Sequence, residues 1–430
     1  MKRSELNIRF YRPRNGQTAS WAALAKMRQA AAAHQAGDAA LAEALYQDVL
    51  QMQPGSADAL HFLGILAVQS GNAERGIGLI GKSIALNPGN PEAHSNMGVV
   101  LKQAGHLEDA LASFQSAVGL KPDYAEALYN CGATQQALGR AQDALDSYGR
   151  LLSAKPDHLE ARINQGVVLI ELGCFAEALA SFDDALRLKP GHVNALGNRG
   201  AALQALNRQE EAVASYDAAL RLHPGHVGTL VQRAMALQAL RRFDDALAGY
   251  AHALRLQPDF AEAHFGEALA RLTLGDFARG WKKYEWRWEV QGFNSPKRRF
   301  AQPLWLGREP LRGKTLLLHA EQGLGDTLQF CRYTKRAAAQ GATVLLEVQP
   351  ALKTLLAELE GVARVLARGE PLPEFDCHCP LMSLPLAFGA DLDSIPAQAH
   401  YLKADPRGAL AWQARLGEKS SPRIGLAWSG

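Results

Sequence analysis

No apolar run in this 430-residue chain reaches the roughly 18 residues that a membrane-spanning helix needs, and the first residues lack the apolar stretch of a secretory signal. Charge of one sign is missing too: 46 basic residues nearly balance 43 acidic ones, and the formal net charge of +3 supplies no strong field for DNA or RNA. Cysteine is sparse. Cys131, Cys174, Cys331, Cys377 and Cys379 are odd in number and scattered, which excludes a disulfide framework and points to a reducing compartment. These absences predict a soluble, cytoplasmic protein with no membrane span and no nucleic-acid partner. The length exceeds one ordinary core and suggests about three domain-sized blocks.

What is present is a period. Pro54, Pro88, Pro122, Pro156, Pro190, Pro224 and Pro258 stand 34 residues apart without a slip. A fixed period of that length marks a repeat architecture. With each proline at position 32 of its unit, position 8 reads Gly64, Gly98, Gly132, Gly166, Gly200 and Ala234. Position 20 is Ala42, Gly76, Ala110, Ala144, Ala178, Ala212 and Ala246, and position 24 is Tyr46, Ile80, Phe114, Tyr148, Phe182, Tyr216 and Tyr250. Small residues let two antiparallel helices approach closely, and the bulky one fills the groove beside them. Proline ends the second helix because it lacks an amide proton and clashes with the preceding turn. Over about 270 residues this pattern resembles the tetratricopeptide repeat family.

The expected repeats occupy 23–292, about eight in number, behind a mobile basic tail at 1–22 that carries Lys2, Arg3, Arg9, Arg12 and Arg14 against Glu5. The eighth unit is degenerate. Its second helix places Trp281, Tyr284 and Trp288 at i, i+3, i+7, an aromatic face that either seals the end of the solenoid or docks the domain that follows. A proline-rich linker, 293–312, leads to a change of period at Lys314. Short apolar runs at 315–320, 343–348 and 362–366 alternate with helical stretches at 327–339, 350–359, 380–388 and 406–416, which predicts a parallel sheet covered on both faces over 313–422. A last strand-like run, 423–428, precedes Ser429 and Gly430.

The turn Gly323-Leu-Gly325-Asp326 joins the first strand to a helix, where glycines let a ligand approach free amides. It lacks the third glycine of a dinucleotide fingerprint, although Glu347 lies at about the distance of a ribose contact. From spacing alone, Asp326 is equally read as a helix N-cap. Cys377-His378-Cys379 has no second pair for a structural zinc site, so no metal is expected there.

The run Glu321 to Phe330, together with Phe375 to Pro380, Ser383 to Pro385 and Ile424 to Gly430, resembles bacterial proteins that join tetratricopeptide repeats to a heptosyltransferase-like glycosyltransferase. The resemblance implies an all-α repeat superhelix followed by a Rossmann-like acceptor-side lobe, the first of two lobes in a B-type glycosyltransferase. It implies Asp326 as the catalytic base that takes a proton from an acceptor hydroxyl, with Gly323 and Gly325 in the acceptor loop. Residues 423–430 would open the second lobe, whose remainder is missing, with Ser429 and Gly430 on the donor side. A nucleotide sugar would then bind only where that lobe is present, and no cofactor is implied.

At position 6, on the first helix of four successive units, stand Asn96, Asn130, Asn164 and Asn198. Such a column of amides can grip an extended polypeptide on the concave face. It resembles the asparagine ladder of the eukaryotic O-GlcNAc transferase, and asparagine is equally common there in the repeat family at large. Two functions therefore stand side by side: repeats that present a polypeptide acceptor to a transferase module, and a non-enzymatic scaffold for protein interaction.

Overall fold

The structure is a computed structural model, and it describes residues 21–293, 295–398, 401–403 and 406–417. The basic tail up to residue 20, the run 423–428, and Ser429 and Gly430 lie outside the described residues. The chain divides into two compact units, Met1–Pro224 and Gly225–Gly430.

The first unit holds six antiparallel helix pairs, from Trp21–Ala36 with Ala39–Met52 to Val193–Ala205 with Gln209–Leu222. Second helices end at Leu86, Leu120, Ala154, Leu188 and Leu222, two residues before each proline. The packing rests on the pairing of positions 8 and 24. A Cβ placed on Gly98, Gly132, Gly166 or Gly200 would lie 2.6, 2.6, 2.7 or 2.5 Å from a ring carbon of Phe114, Tyr148, Phe182 or Tyr216. Only glycine allows that approach. Ala110, Ala144, Ala178 and Ala212 are fully buried beside these rings. The turn between the helices of a pair uses a left-handed residue, Gly71, Gly105, Gly139 and Gly173 in turn, and Asn207 takes the same place with φ 59°. Histidine caps several first helices: Nδ1 of His158 and His192 accepts the amide of Ala161 and Ala195.

The second unit holds two more pairs, Val227–Ala239 with Phe243–Leu256 and Ala261–Thr273 with Phe277–Tyr284, and a parallel sheet. Here Arg241 occupies the left-handed turn position, with φ 59°. The eighth unit's second helix is shorter than its aromatic spacing predicts. It stops at Tyr284 and tightens into a 3-10 turn, Glu285–Glu289, so Trp288 leaves the face shared by Trp281 and Tyr284. Those two do dock onto the α/β region. Trp281 meets Phe330 edge-on at 5.9 Å, and the Tyr284 hydroxyl accepts a hydrogen bond from Gln322 at 3.1 Å.

Strands β1 (Thr315–His319), β2 (Thr343–Val348), β3 (Arg364–Ala367) and β4 (Cys377–Pro380) form one sheet in the order β3-β2-β1-β4, all parallel. Cys377-His378-Cys379, readable from sequence as a packed strand end, lies in β4, although Cys-His-Cys-Pro lacks the β-branched signature of a strand. The helix after β1 starts earlier than its pattern predicts, at Leu324, and passes through a 3-10 turn before resuming as Thr334–Ala339. The expected helices at 350–359 and 380–388 shrink to single turns, Lys353–Leu356 and Leu384–Ala387, each preceded by a 3-10 turn. Residues 295–312 form an ordered segment that joins the eighth repeat to the sheet and packs on it. The backbone of Trp305 donates to His378 at 2.8 Å and that of His378 donates to Pro303 at 3.1 Å, so the segment extends the β4 edge, with Trp305 and Leu311 buried in the core.

Candidate functional site

The four asparagines do not share one environment. Asn96 is 1% exposed and its amide lies 3.0 Å from Nε2 of His61, one repeat earlier. Asn164 is half-buried and donates to the hydroxyls of Tyr129, at 3.2 Å, and Tyr148, at 3.3 Å. Asn130 and Asn198 are half-buried. At Asn96 and Asn164, position 6 reaches back to position 5 of the preceding unit. Asn96 is committed to the stack itself.

Beside Asn164 opens a cleft of about 790 Å³ at the N-terminal ends of two successive first helices. Tyr129 and His158 stack within it at 5.4 Å, and Lys121, Lys155, Asp123 and Glu160 stand around them. Burial raises the Tyr129 pKa, the hydrogen bond from Asn164 opposes that, and the charge of Glu160 adds to it. Lys121 and Lys155 have no carboxylate partner among the described residues. Sequence reasoning missed Tyr129: its counterparts are Ser95 and Ile163, so nothing periodic marked it.

A second cleft, about 640 Å³, opens at the carboxyl edge of the sheet, where parallel sheets take ligands. Phe293, Ser295, Pro296, Gln322, Gly323, Asp326 and Arg368 line it. Gly323, not Asp326, is the helix N-cap; Asp326 is the third helical residue, and its Oδ2 accepts the Gly323 amide at 2.9 Å. Gly325 is exposed and a Cβ there would meet no atom within 4 Å, so close packing does not require that glycine. Glu347 is closed to a ribose, being 2% exposed and paired with Arg298.

Behind this cleft lie two buried polar clusters that spacing did not reveal. Arg287, with no exposed surface, makes a two-pronged pair with Glu321 at 2.9 and 3.0 Å and also binds Glu285 and Ser383. Glu321 further accepts the amide of Met382 at 3.1 Å. At the ends of β1 and β4, His319 and His378 lie 3.2 Å apart under the ring of Phe300. Burial drives the His319 pKa down to about 3, with His378 and the cations Arg298 and Arg368 adding to the effect. His378 is lowered by burial and by Arg298. Cys377 and Cys379 are buried, and their thiol pKa values are raised by burial. They alternate with His378 along β4 and so face the opposite side of the sheet.

Paired helices at a 34-residue period, with a small residue opposite a ring in each pair, define a repeat solenoid of the tetratricopeptide class. Family models bear this out. One described as tetratricopeptide repeat matches 132–192, 168–227 and 231–284, a second of the same description matches 33–100, and one described as TPR repeat matches 100–139. From about residue 30 to 290 the chain is a tetratricopeptide repeat protein, and a small parallel α/β region of unidentified family follows. Protein FlbA of Caulobacter vibrioides is 27% identical over 189 residues, which span 40% of this chain and 32% of FlbA, so this chain covers about a third of that relative. Among solved structures, YrrB, described as a TPR protein with an unusual peptide-binding site, is 24% identical with a TM-score of 0.39, covering 43% of this chain and 95% of that one. A tetratricopeptide repeat protein from Parabacteroides merdae is 20% identical, covers 56% of this chain and 94% of its own, and gives a TM-score of 0.47.

Proposed function

We propose that the repeats bind a polypeptide segment of a partner protein on the face formed by their first helices, with the Tyr129 cleft as the anchoring point. The carrying observation is the cleft itself: an aromatic pair held in place by Asn164, with two lysines that lack carboxylate partners, is built to receive a side chain and its flanking backbone. Asn130 and Asn198 extend the same face with half-buried amides. Peptides selected from a displayed random library test the reading. In Tyr129→Ala and Lys155→Glu variants with unchanged circular dichroism, binding falls about tenfold or more, as for an interface tyrosine. Selected peptides indifferent to both changes would remove the proposal.

A finer reading is supported by one contact. Phe293, which lines the sheet-edge cleft, packs edge-on against Phe265, on the first helix of the eighth repeat, at 6.1 Å. A polypeptide lying on that helix would reach Asp326. On this reading the α/β region is the acceptor-side lobe of a glycosyltransferase, and Asp326 accepts the proton of the acceptor hydroxyl. The assay belongs on the gene product read past codon 430. If a second α/β lobe follows, sugar transfer from a nucleotide donor to polypeptide is expected and Asp326→Asn abolishes it. A stop codon there leaves the repeats as a scaffold, and transfer that survives the substitution removes Asp326 as the base.

A further inference from the structure

A third cavity, about 450 Å³, shares no lining residue with either cleft. Arg332, Lys335 and Arg336 form one wall, and Ser394, Gln398 and Tyr401 stand opposite. Among the described residues no carboxylate lines it. Lys335 pairs with Glu360 at 2.9 Å, but among the described residues the two guanidiniums meet only neutral acceptors. Arg332 donates to the carbonyls of Gln329, at 2.8 Å, and Pro396, at 3.0 Å, and to the Tyr401 hydroxyl at 3.2 Å. Arg336 donates to the carbonyls of Ser394, at 3.0 Å, and Phe388, at 3.5 Å. Both arginines are half-buried, and each also lies over a ring, Tyr401 at 4.7 Å and Phe388 at 5.0 Å. Asp391, on the opposing loop, is engaged by Ser394, whose amide donates to it at 2.9 Å.

An arginine cannot shed its proton to escape partial burial, so two such groups in one cavity leave a positive charge that only an anion can neutralise. Carbonyl and ring contacts fix the planes of the guanidiniums without answering that charge. A doubly charged oxyanion matches it better than a single carboxylate, and charge-assisted hydrogen bonds to phosphate are the strong kind for arginine. The cavity is also larger than a bare oxyanion requires. We propose that this cavity binds the phosphate group of a small molecule, through Arg332 and Arg336 with Lys335 at the rim.

Calorimetry on the full chain at constant ionic strength, with inorganic phosphate and with glycerol phosphate as probes, tests this. Saturable binding is expected for both, and the tighter of the two assigns the source as free anion or phosphate ester. Arg336→Gln and Lys335→Gln should each weaken it about tenfold, the loss of one charge-assisted hydrogen bond. The absence of saturable heat for both probes overturns the proposal, as does binding unchanged in both variants. A fall in melting temperature in Arg336→Gln, with no response of the parent protein to phosphate, would mean that the arginines only fasten Phe388, Ser394, Pro396 and Tyr401 in place.

Discussion

Arg287 and Glu321 meet in a two-pronged ion pair from which water is almost wholly excluded, joining the end of the eighth repeat to the turn that follows β1. Tyr284 and Trp288 flank the guanidinium, 4.9 and 4.4 Å from their ring centres. The last repeat thus has a partner for the face that a terminal repeat would otherwise leave to solvent. Removing one member strands a buried charge. Arg287→Ala or Glu321→Ala should destabilise the second unit by about 3–5 kcal/mol, whereas replacing both with methionine should recover most of that loss. Thermal denaturation followed by tryptophan fluorescence reads both, since Trp281, Trp286 and Trp288 lie at this junction. A double variant as unstable as the single ones would show that the pair also orients its surroundings.

Asn96 and Asn198 differ in the residue one repeat behind them, His61 and Ile163. Asn96→Ala removes one hydrogen-bond partner of buried His61 and should cost about 1 kcal/mol or more. Asn198→Ala should leave stability within about 0.5 kcal/mol, because its predecessor at position 5 is Ile163 and no bond is lost there. Denaturant titration compares the two. Equal losses would mean that position 6 is a packing position throughout.

That division explains what the sequence could carry. The repeats were legible because each packing decision recurs every 34 residues: a glycine opposite a ring, an alanine beside it, a proline after it. Docking of the eighth repeat was legible in part, through Trp281 and Tyr284, but the tightening after Tyr284 moved Trp288 away. Arg287 was not legible. An arginine among tryptophans and glutamates looks solvated until the fold brings Glu321 and Ser383 to it. The Tyr129 cleft escaped for the opposite reason: position 5 changes from repeat to repeat, so no period marks Tyr129.

Arg241 holds a turn that glycine holds in most other repeats, with φ at 59°. A side chain in the left-handed region costs roughly 1 kcal/mol or more, and glycine relieves it at some entropic cost to the unfolded chain. Arg241→Gly should therefore raise stability by about 0.5–1 kcal/mol. Asn207→Gly, at the same position one repeat earlier, should gain less because asparagine tolerates this conformation. Melting curves of the two variants check the order, and a larger gain at Asn207 would contradict the strain argument.

The buried histidines predict a specific acid sensitivity. His319 binds its proton only near pH 3 in the folded chain, against about 6.5 when unfolded, and His378 is lowered as well. Each group's contribution is complete above pH 6.5. As pH falls below that value the unfolded chain takes up protons that the folded chain refuses, so stability drops steadily toward pH 3. The surrounding charges act in the same direction: Arg298 and Arg368 repel an added proton, and Glu347 is already neutralised by Arg298. The loss should reach at most about 1.4 kcal/mol per pH unit for each histidine. Between pH 6.5 and 5, above the range where ordinary carboxylates titrate, the effect can be isolated. There the second unit's stability should fall in the parent protein and fall less in His319→Phe, measured by denaturant titration at each pH. Parallel pH profiles for the two proteins would show that the histidine pair is not held neutral by the fold.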